Sequence, residues 1–299
     1  MPTPTQIVKR AVPPNWIARI RRLGRIRWYA KYRNLRAGGV DLRRRRGMIL
    51  KHIMLDPEVD NYTYELSNED ELAPFLAEAL GLPLHEAKKL LAEAATDEEL
   101  NDELTRRVRW RFDTKRRLHL GRRVLWFAIV RHVRPSLVVE CGVQEGLGTL
   151  VLLRALERNG EEGSPGRLVS IDPLANAGWL VPERLRKGWT FVNARSEGGL
   201  DSALEGSTVD LLLSDSGGSY ERELGEYETG LRHASPSLVL VAGAGDQTTA
   251  LRDFSQRHGF TYSYFQDRPK DHFFRGAGTG VAARCVDGNE DPERGPAGR

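Results

Sequence analysis

Residues 138–150 read VVECGVQEGLGTL. The near-continuous apolar run over 137–141 predicts a buried strand. Glycines at 142, 146 and 148 predict a turn, and the Thr-Leu-Val-Leu-Leu run at 149–153 predicts a helix. A strand, a glycine turn and a helix can cradle several ligands, and the spacing narrows the choice. A phosphate-cradling loop needs G-x-x-x-x-G-K-[ST], and no Lys follows Gly146 or Gly148. The order E-x-G-x-x-x-G-x-G also departs from the G-x-G-x-x-G of dinucleotide sites. Charge decides further. Glu140 closes the strand and Glu145 lies in the turn, so a pyrophosphate at the helix N-terminus would gain from the dipole but meet two carboxylates. A ligand carrying an amino group or a sulfonium would be favoured by them.

Outward from this stretch the chain alternates strand and helix. GRLVSIDP (166–173) predicts a second strand ending at Asp172, where an acid can hydrogen-bond the ribose of a nucleoside. WTFVNARS (189–196) predicts the third strand, VDLLLSD (209–215) the fourth and SLVLVAGAGD (237–246) the fifth. A helix over 247–259 and two final strands, FTYSYF and GTGVAARC, complete the pattern. The expected class is α/β, a Rossmann-like seven-stranded sheet with an N-terminal helical module.

That module reads from Asn61 to Leu104. Ser67 with Asp70 suggests a capping box, Leu72, Phe75, Leu76 and Leu80 form an apolar stripe, and Gly81 and Pro83 separate the first helix from a second. A third starts at Thr96-Asp97, and another helix, 120–133, leads into the first strand. The expected organisation is a basic arm (1–51), a helical accessory module (52–119), a ligand-binding α/β domain (120–286) and a disordered tail (287–299).

Composition bounds the function. The chain has 299 residues and a net charge of +4, but residues 1–51 hold fifteen Lys/Arg against the single acid Asp41. This arm mixes its charge with Trp16, Trp28, Tyr29 and Tyr32. It suits an anionic membrane surface or RNA, and equally an arm packed on the acidic remainder or on a second subunit of a homo-oligomer. The two cysteines, Cys141 and Cys285, offer neither a disulfide framework nor a zinc cluster. The longest apolar run, VLWFAIV, is far short of a membrane span, and the start lacks a signal-peptide core. The expected setting is cytoplasmic, and the arm leaves peripheral attachment at the inner membrane face as one of two open readings.

VVECGVQEGLG resembles motif I of class I S-adenosylmethionine-dependent methyltransferases. The wider pattern of TYELSNEDEL (63–72), Gly178-Trp179-Leu180 and DHFFRGAGTG (271–280) resembles a bacterial branch that modifies sugars or other small hydroxylated molecules. The resemblance covers about Asn61 to Cys285. It implies S-adenosylmethionine as cofactor, with Glu140, Gly142, Gly146, Gly148, Asp172, Ser196 and Asp215 around it. It implies O-methylation of a small or saccharide-like acceptor, with RNA methylation or a catalytically degenerate scaffold as alternatives.

Ligands of a parallel sheet bind beyond the carboxyl ends of its strands. That edge should bring Tyr220, Asp246 and Phe273 to the acceptor. Many related O-methyltransferases hold a divalent metal with a strand-four Asp-x-Asp-His. Here DSGGSYE (215–221) keeps Asp215 but has Gly217 and Gly218 in the other places, so no metal is expected. The expected catalytic residues are then His272 as base, which titrates near neutral pH, and Asp215.

Overall fold

The computed structural model describes residues 63–107, 119–217, 219–245, 248–270 and 276–284. The basic arm, the expected tail, Asp246, His272 and Phe273 lie outside the described residues.

The chain builds its helices first. After a short 3₁₀ turn at Glu69–Glu71, helix α1 (Leu72–Leu80) ends at Gly81, whose φ of 66° supplies the left-handed cap. Helix α2 (Leu84–Thr96) follows Pro83, and α3 (Glu98–Arg107) follows Asp97. The Asp97 carboxylate accepts the Leu100 N–H at 2.7 Å, satisfying one of the amides that a helix start leaves open. The capping box suggested by Ser67 and Asp70 does not form. Ser67 instead donates its hydroxyl to the Arg268 carbonyl at 2.9 Å, and Asn68 bonds both Gln266 and Arg268. The entry to the module is thus laced to a loop some two hundred residues away.

Helix α4 (Arg123–Val133) is buried on every side over residues 123–131. Beyond it come β1 (Leu137–Cys141), α5 (Leu147–Glu161), β2 (Arg167–Ile171), α6 (Glu183–Arg186), β3 (Trp189–Val192) and α7 (Ser196–Ala203). Then follow β4 (Val209–Ser214), α8 (Tyr220–Arg232), β5 (Ala234–Ala242), α9 (Ala250–His258), β6 (Thr261–Phe265) and β7 (Thr279–Ala283). Seven strands form one sheet in the order β3-β2-β1-β4-β5-β7-β6. The first five are parallel, and β7 runs antiparallel between β5 and β6. The order reverses between β1 and β4, which makes the crevice at their carboxyl ends the natural ligand site. No described helix is long and apolar enough to cross a membrane.

Strands covered on both faces read as continuous apolar runs, which is why β1 and β4 were plain in the sequence. One face packs α7, α8 and α9 around Tyr227 and Phe254. The other packs α4 and α5, and the helical module joins that same core: Leu72, Leu76, Leu100 and Leu104 cluster with Trp126 and Leu150. Buried arginines reinforce the seam. Arg131 of α4 bonds Glu93 of α2 at 2.9 Å and Glu162 at 2.6 Å, while Arg154 of α5 bonds Asp97 at 2.8 Å. Because the module has no separate core, it should unfold with the sheet. Leu76→Ala, at a side chain with no exposed surface, should cost about 2–5 kcal/mol and lower one shared transition. Chemical unfolding followed by helix and tryptophan signals checks this; an early transition confined to the helix signal would contradict it.

Candidate functional site

The glycine turn sits at the reversal point, and backbone proximity shapes it. Gly142 has φ 91°, and a Cβ there would stand 2.6 Å from the Asp215 carbonyl of the β4 loop. Gly146 has φ 94°, and a Cβ there would stand 2.8 Å from the Cα of Gly178. Only glycine permits both the dihedral and the approach. Gly178-Trp179-Leu180 is therefore a clamp on the turn: Gly178 and Leu180 donate their N–H groups to the carbonyls of Gln144 and Glu145. Gly148 faces inward, where a Cβ would meet the Trp126 ring at 2.8 Å.

Asp172 follows β2 and reaches across to this turn. Its Oδ2 accepts the N–H groups of Val143 at 2.8 Å and Gln144 at 2.9 Å, and its Oδ1 accepts that of Leu174 at 2.7 Å. A carboxylate offers about four acceptor positions and three are filled here, so one hydroxyl donor of a ligand can still be received. A cavity of about 170 Å³ opens here, lined by Gly142, Gln144, Asp172, Ser196, Ser216 and Glu226 among others. Of the expected residues the fold thus brings together Gly142, Asp172 and Ser196.

Glu140, expected to face the ligand, points into the core. Side chains alternate along a strand, and position 140 shares the inner face with Val138. There its Oε2 accepts the hydroxyls of Thr149 and Ser170, both at 2.7 Å, and Trp189 donates its indole N–H to Ser170. Glu140 ties the first turn of α5 to β2 beneath the cavity. The Tyr220 hydroxyl accepts from Arg257 of α9 at 3.2 Å.

Two acids on α8 were not anticipated. The run YERELGEYE reads as a solvated helix face, yet Glu223 and Glu226 share the buried stripe of Tyr227 and Gly230. Their i, i+3 spacing beside that tyrosine was the available signal. Glu226 is buried and accepts the hydroxyls of Ser196 and Ser214, both at 2.6 Å. It joins α7, β4 and α8 at the cavity floor, and burial raises its carboxyl above the ordinary range. Glu223 accepts the Thr248 hydroxyl at 2.5 Å. Burial pushes its pKa up to about 7; the Thr248 hydrogen bond opposes this, and the charges of Glu226 and Asp215 add to it.

Asp215 follows β4 beside the cavity-lining Ser216. Its carboxylate lies 3.4 Å from Nη2 of Arg122, a buried cation whose Nε donates to the Gly243 carbonyl after β5 at 2.6 Å. Burial works against that charge, but the neighbouring Asp215, Tyr64 and Asp267 more than offset it. On the far side, Tyr64 donates to Asp267, which also accepts the Gly278 N–H at 2.7 Å. The TYEL entry thus reaches the same edge of the sheet as Asp215.

The chemistry of the donor set selects a ligand. Asp172, Ser196 and Glu226 present acceptors suited to hydroxyl and amino groups. The turn amides of Val143 and Gln144, which an anion would need, are taken by Asp172. A pyrophosphate would have to displace Asp172 from those amides, so a nucleoside fits this cavity better, and the lining mixes acids with Arg195 and Arg222.

Residues 139–243 match a family model described as a methyltransferase domain. No curated protein matches the chain. Among solved structures, a methyltransferase from Geobacter sulfurreducens is 16% identical, with 62% of this chain and 88% of that chain covered and a TM-score of 0.43. The O-methyltransferase TomG from Streptomyces achromogenes, involved in tomaymycin synthesis and solved with SAM, is 17% identical, with 63% and 90% covered and a TM-score of 0.44. An O-methyltransferase from Bacillus cereus solved with SAH is 11% identical, with 72% and 97% covered and a TM-score of 0.44.

The raised Glu223 carboxyl makes stability depend on pH. In the folded protein it keeps its proton up to about pH 7, whereas the ordinary value is 4.5. Its stabilising contribution is complete below the unfolded value and fades as pH rises through about 7. Glu223→Gln should therefore flatten the fall in stability between pH 5 and 7. Denaturant midpoints across that range measure it, and an unchanged slope would contradict the assignment.

Proposed function

We propose, from the premise that residues 139–243 are a class I S-adenosylmethionine-dependent methyltransferase domain, that the chain methylates an oxygen of a small or saccharide-like hydroxylated acceptor. The observation that carries this reading is the adjacency of Ser216, on the cavity, and Asp215, paired with Arg122 beside it. A nucleoside cavity and a charged, hydrogen-bonding site then share one loop after β4.

Bound in that cavity, S-adenosylmethionine supplies an electrophilic methyl group. Asp172 would receive a ribose hydroxyl while it fixes the turn. Gly142 and Ser196 would border the cofactor, with Glu226 supporting Ser196 from below. Beyond Ser216, Asp215 orients the acceptor hydroxyl and, with His272, is the proposed destination of its proton. A positioned base of this kind contributes about 10²–10⁴ in rate. The guanidinium of Arg122 next to Asp215 would repel a divalent cation, which favours activation by side chains over a metal.

The test is a methyl-acceptor screen read by mass spectrometry, spanning saccharides, phenols and RNA. The expected result is a net gain of one CH2 in mass on a hydroxylated small molecule, unaffected by chelators. Methylated RNA would move the reading to the nucleic-acid alternative. No methylated product in any class would favour a scaffold.

A further inference from the structure

The helical module encloses a space of its own. Packed interiors hold few voids larger than a water molecule, yet a cavity of about 230 Å³ lies between α1, α2, α3 and the start of α4. It shares no lining residue with the nucleoside cavity. Its floor is apolar, formed by the buried side chains of Leu72, Leu100, Leu104 and Val124. One wall is Tyr64, whose hydroxyl is committed to Asp267. Gly121 makes room for the Tyr64 ring: its φ is 56°, and a Cβ there would stand 2.5 Å from the ring.

The polar lining says which ligand suits it. Glu69 and His119 are exposed and Asn101 is half-buried, so these three stand where the cavity meets solvent. Asp97 also lines it, but its oxygens are engaged by the Leu100 amide and by Arg154. The described lining thus holds two carboxylates and no Lys or Arg, so an anion would meet repulsion and a cation attraction. The volume is below the roughly 300–1,000 Å³ that holds a drug-sized ligand, which suits one ring or a short chain. We propose that this cavity is a second ligand site, separate from the cofactor's, for a compact apolar molecule bearing one ammonium group. Its body rests on the leucine floor, and burial there supplies most of the affinity. Its cation faces Glu69, which sets the preference rather than the strength, because an exposed ion pair contributes little. The occupant packs beside Tyr64, whose hydroxyl helps to hold the sheet edge that carries Arg122 and Asp215.

The experiment titrates three compounds into the full chain, with and without SAH, and follows them by NMR. Phenethylamine, phenethyl alcohol and phenylacetate share one apolar body and carry a cationic, a neutral and an anionic head. The amine should bind with a Kd on the order of 1 mM, whether or not SAH is present. The alcohol should bind about two- to fivefold more weakly, and the carboxylate more weakly still. Glu69→Gln, at an exposed residue, should make amine and alcohol equal. Ala95→Trp, on the exposed side of α2 where it lines the cavity, should block all three while the melting curve stays that of the parent. No binding of the amine at about 10 mM, equal affinity for all three compounds, or amine binding that survives both substitutions unchanged would overturn the proposal. Neither an acceptor nor methyl transfer enters the measurement, so its outcome is independent of the function proposed above.

Discussion

One carboxylate fixes the shape on which the site depends. Asp172 leaves β2 and accepts two consecutive amides of the turn that leaves β1. Hydrogen bonds to an ionised acceptor are stronger than neutral ones, and here they hold a loop whose glycines would otherwise leave it many conformations. With the turn fixed, Gly142 can pass within contact of the β4 loop, and Gly146 can lie against Gly178. Those approaches set the walls of the cavity and carry Asp215 to its edge. Without Asp172 the strands would remain, but the crevice between β1 and β4 would lose its form.

The layers beneath that turn explain why it is rigid. Glu140, Thr149, Ser170 and Trp189 form one buried chain of hydrogen bonds across α5, β1, β2 and β3. On the opposite face Glu226 links α7, β4 and α8 through two serines. Buried polar networks that are satisfied specify one arrangement, and these two bracket the site from both sides of the sheet. The helical module adds a third constraint through Tyr64 and Asp267, and it closes the edge of the sheet next to Arg122.

The strand order was legible because parallel strands buried on both faces leave long apolar runs, and because glycines mark the turn. Asp172 was legible for the same positional reason, at the end of the second run. Glu140 was less legible. Charge near a glycine turn suggested a ligand contact, but strand alternation assigns position 140 to the core, and its partners Thr149 and Ser170 are ordinary residues without a motif. Glu226 was hidden in a helix rich in acids, where only the spacing to Tyr227 separates a buried carboxylate from solvated ones. Arg122 lay in a basic pair, Arg122-Arg123, that local sequence cannot distinguish from a surface patch. Its role follows from tertiary contacts with residues about a hundred positions away, beyond the reach of any window.

The account stands on Asp172 shaping a nucleoside site for a cofactor with a cationic tail. Calorimetric titration of S-adenosylmethionine into the parent and into Asp172→Ala tests it directly. The parent should bind S-adenosylmethionine and not NAD, and the variant should bind it at least tenfold more weakly while keeping its far-UV spectrum, since a charge-assisted hydrogen bond is worth about 1.5–3 kcal/mol. Equal affinity in the two proteins, or binding of NAD by the parent, would contradict it.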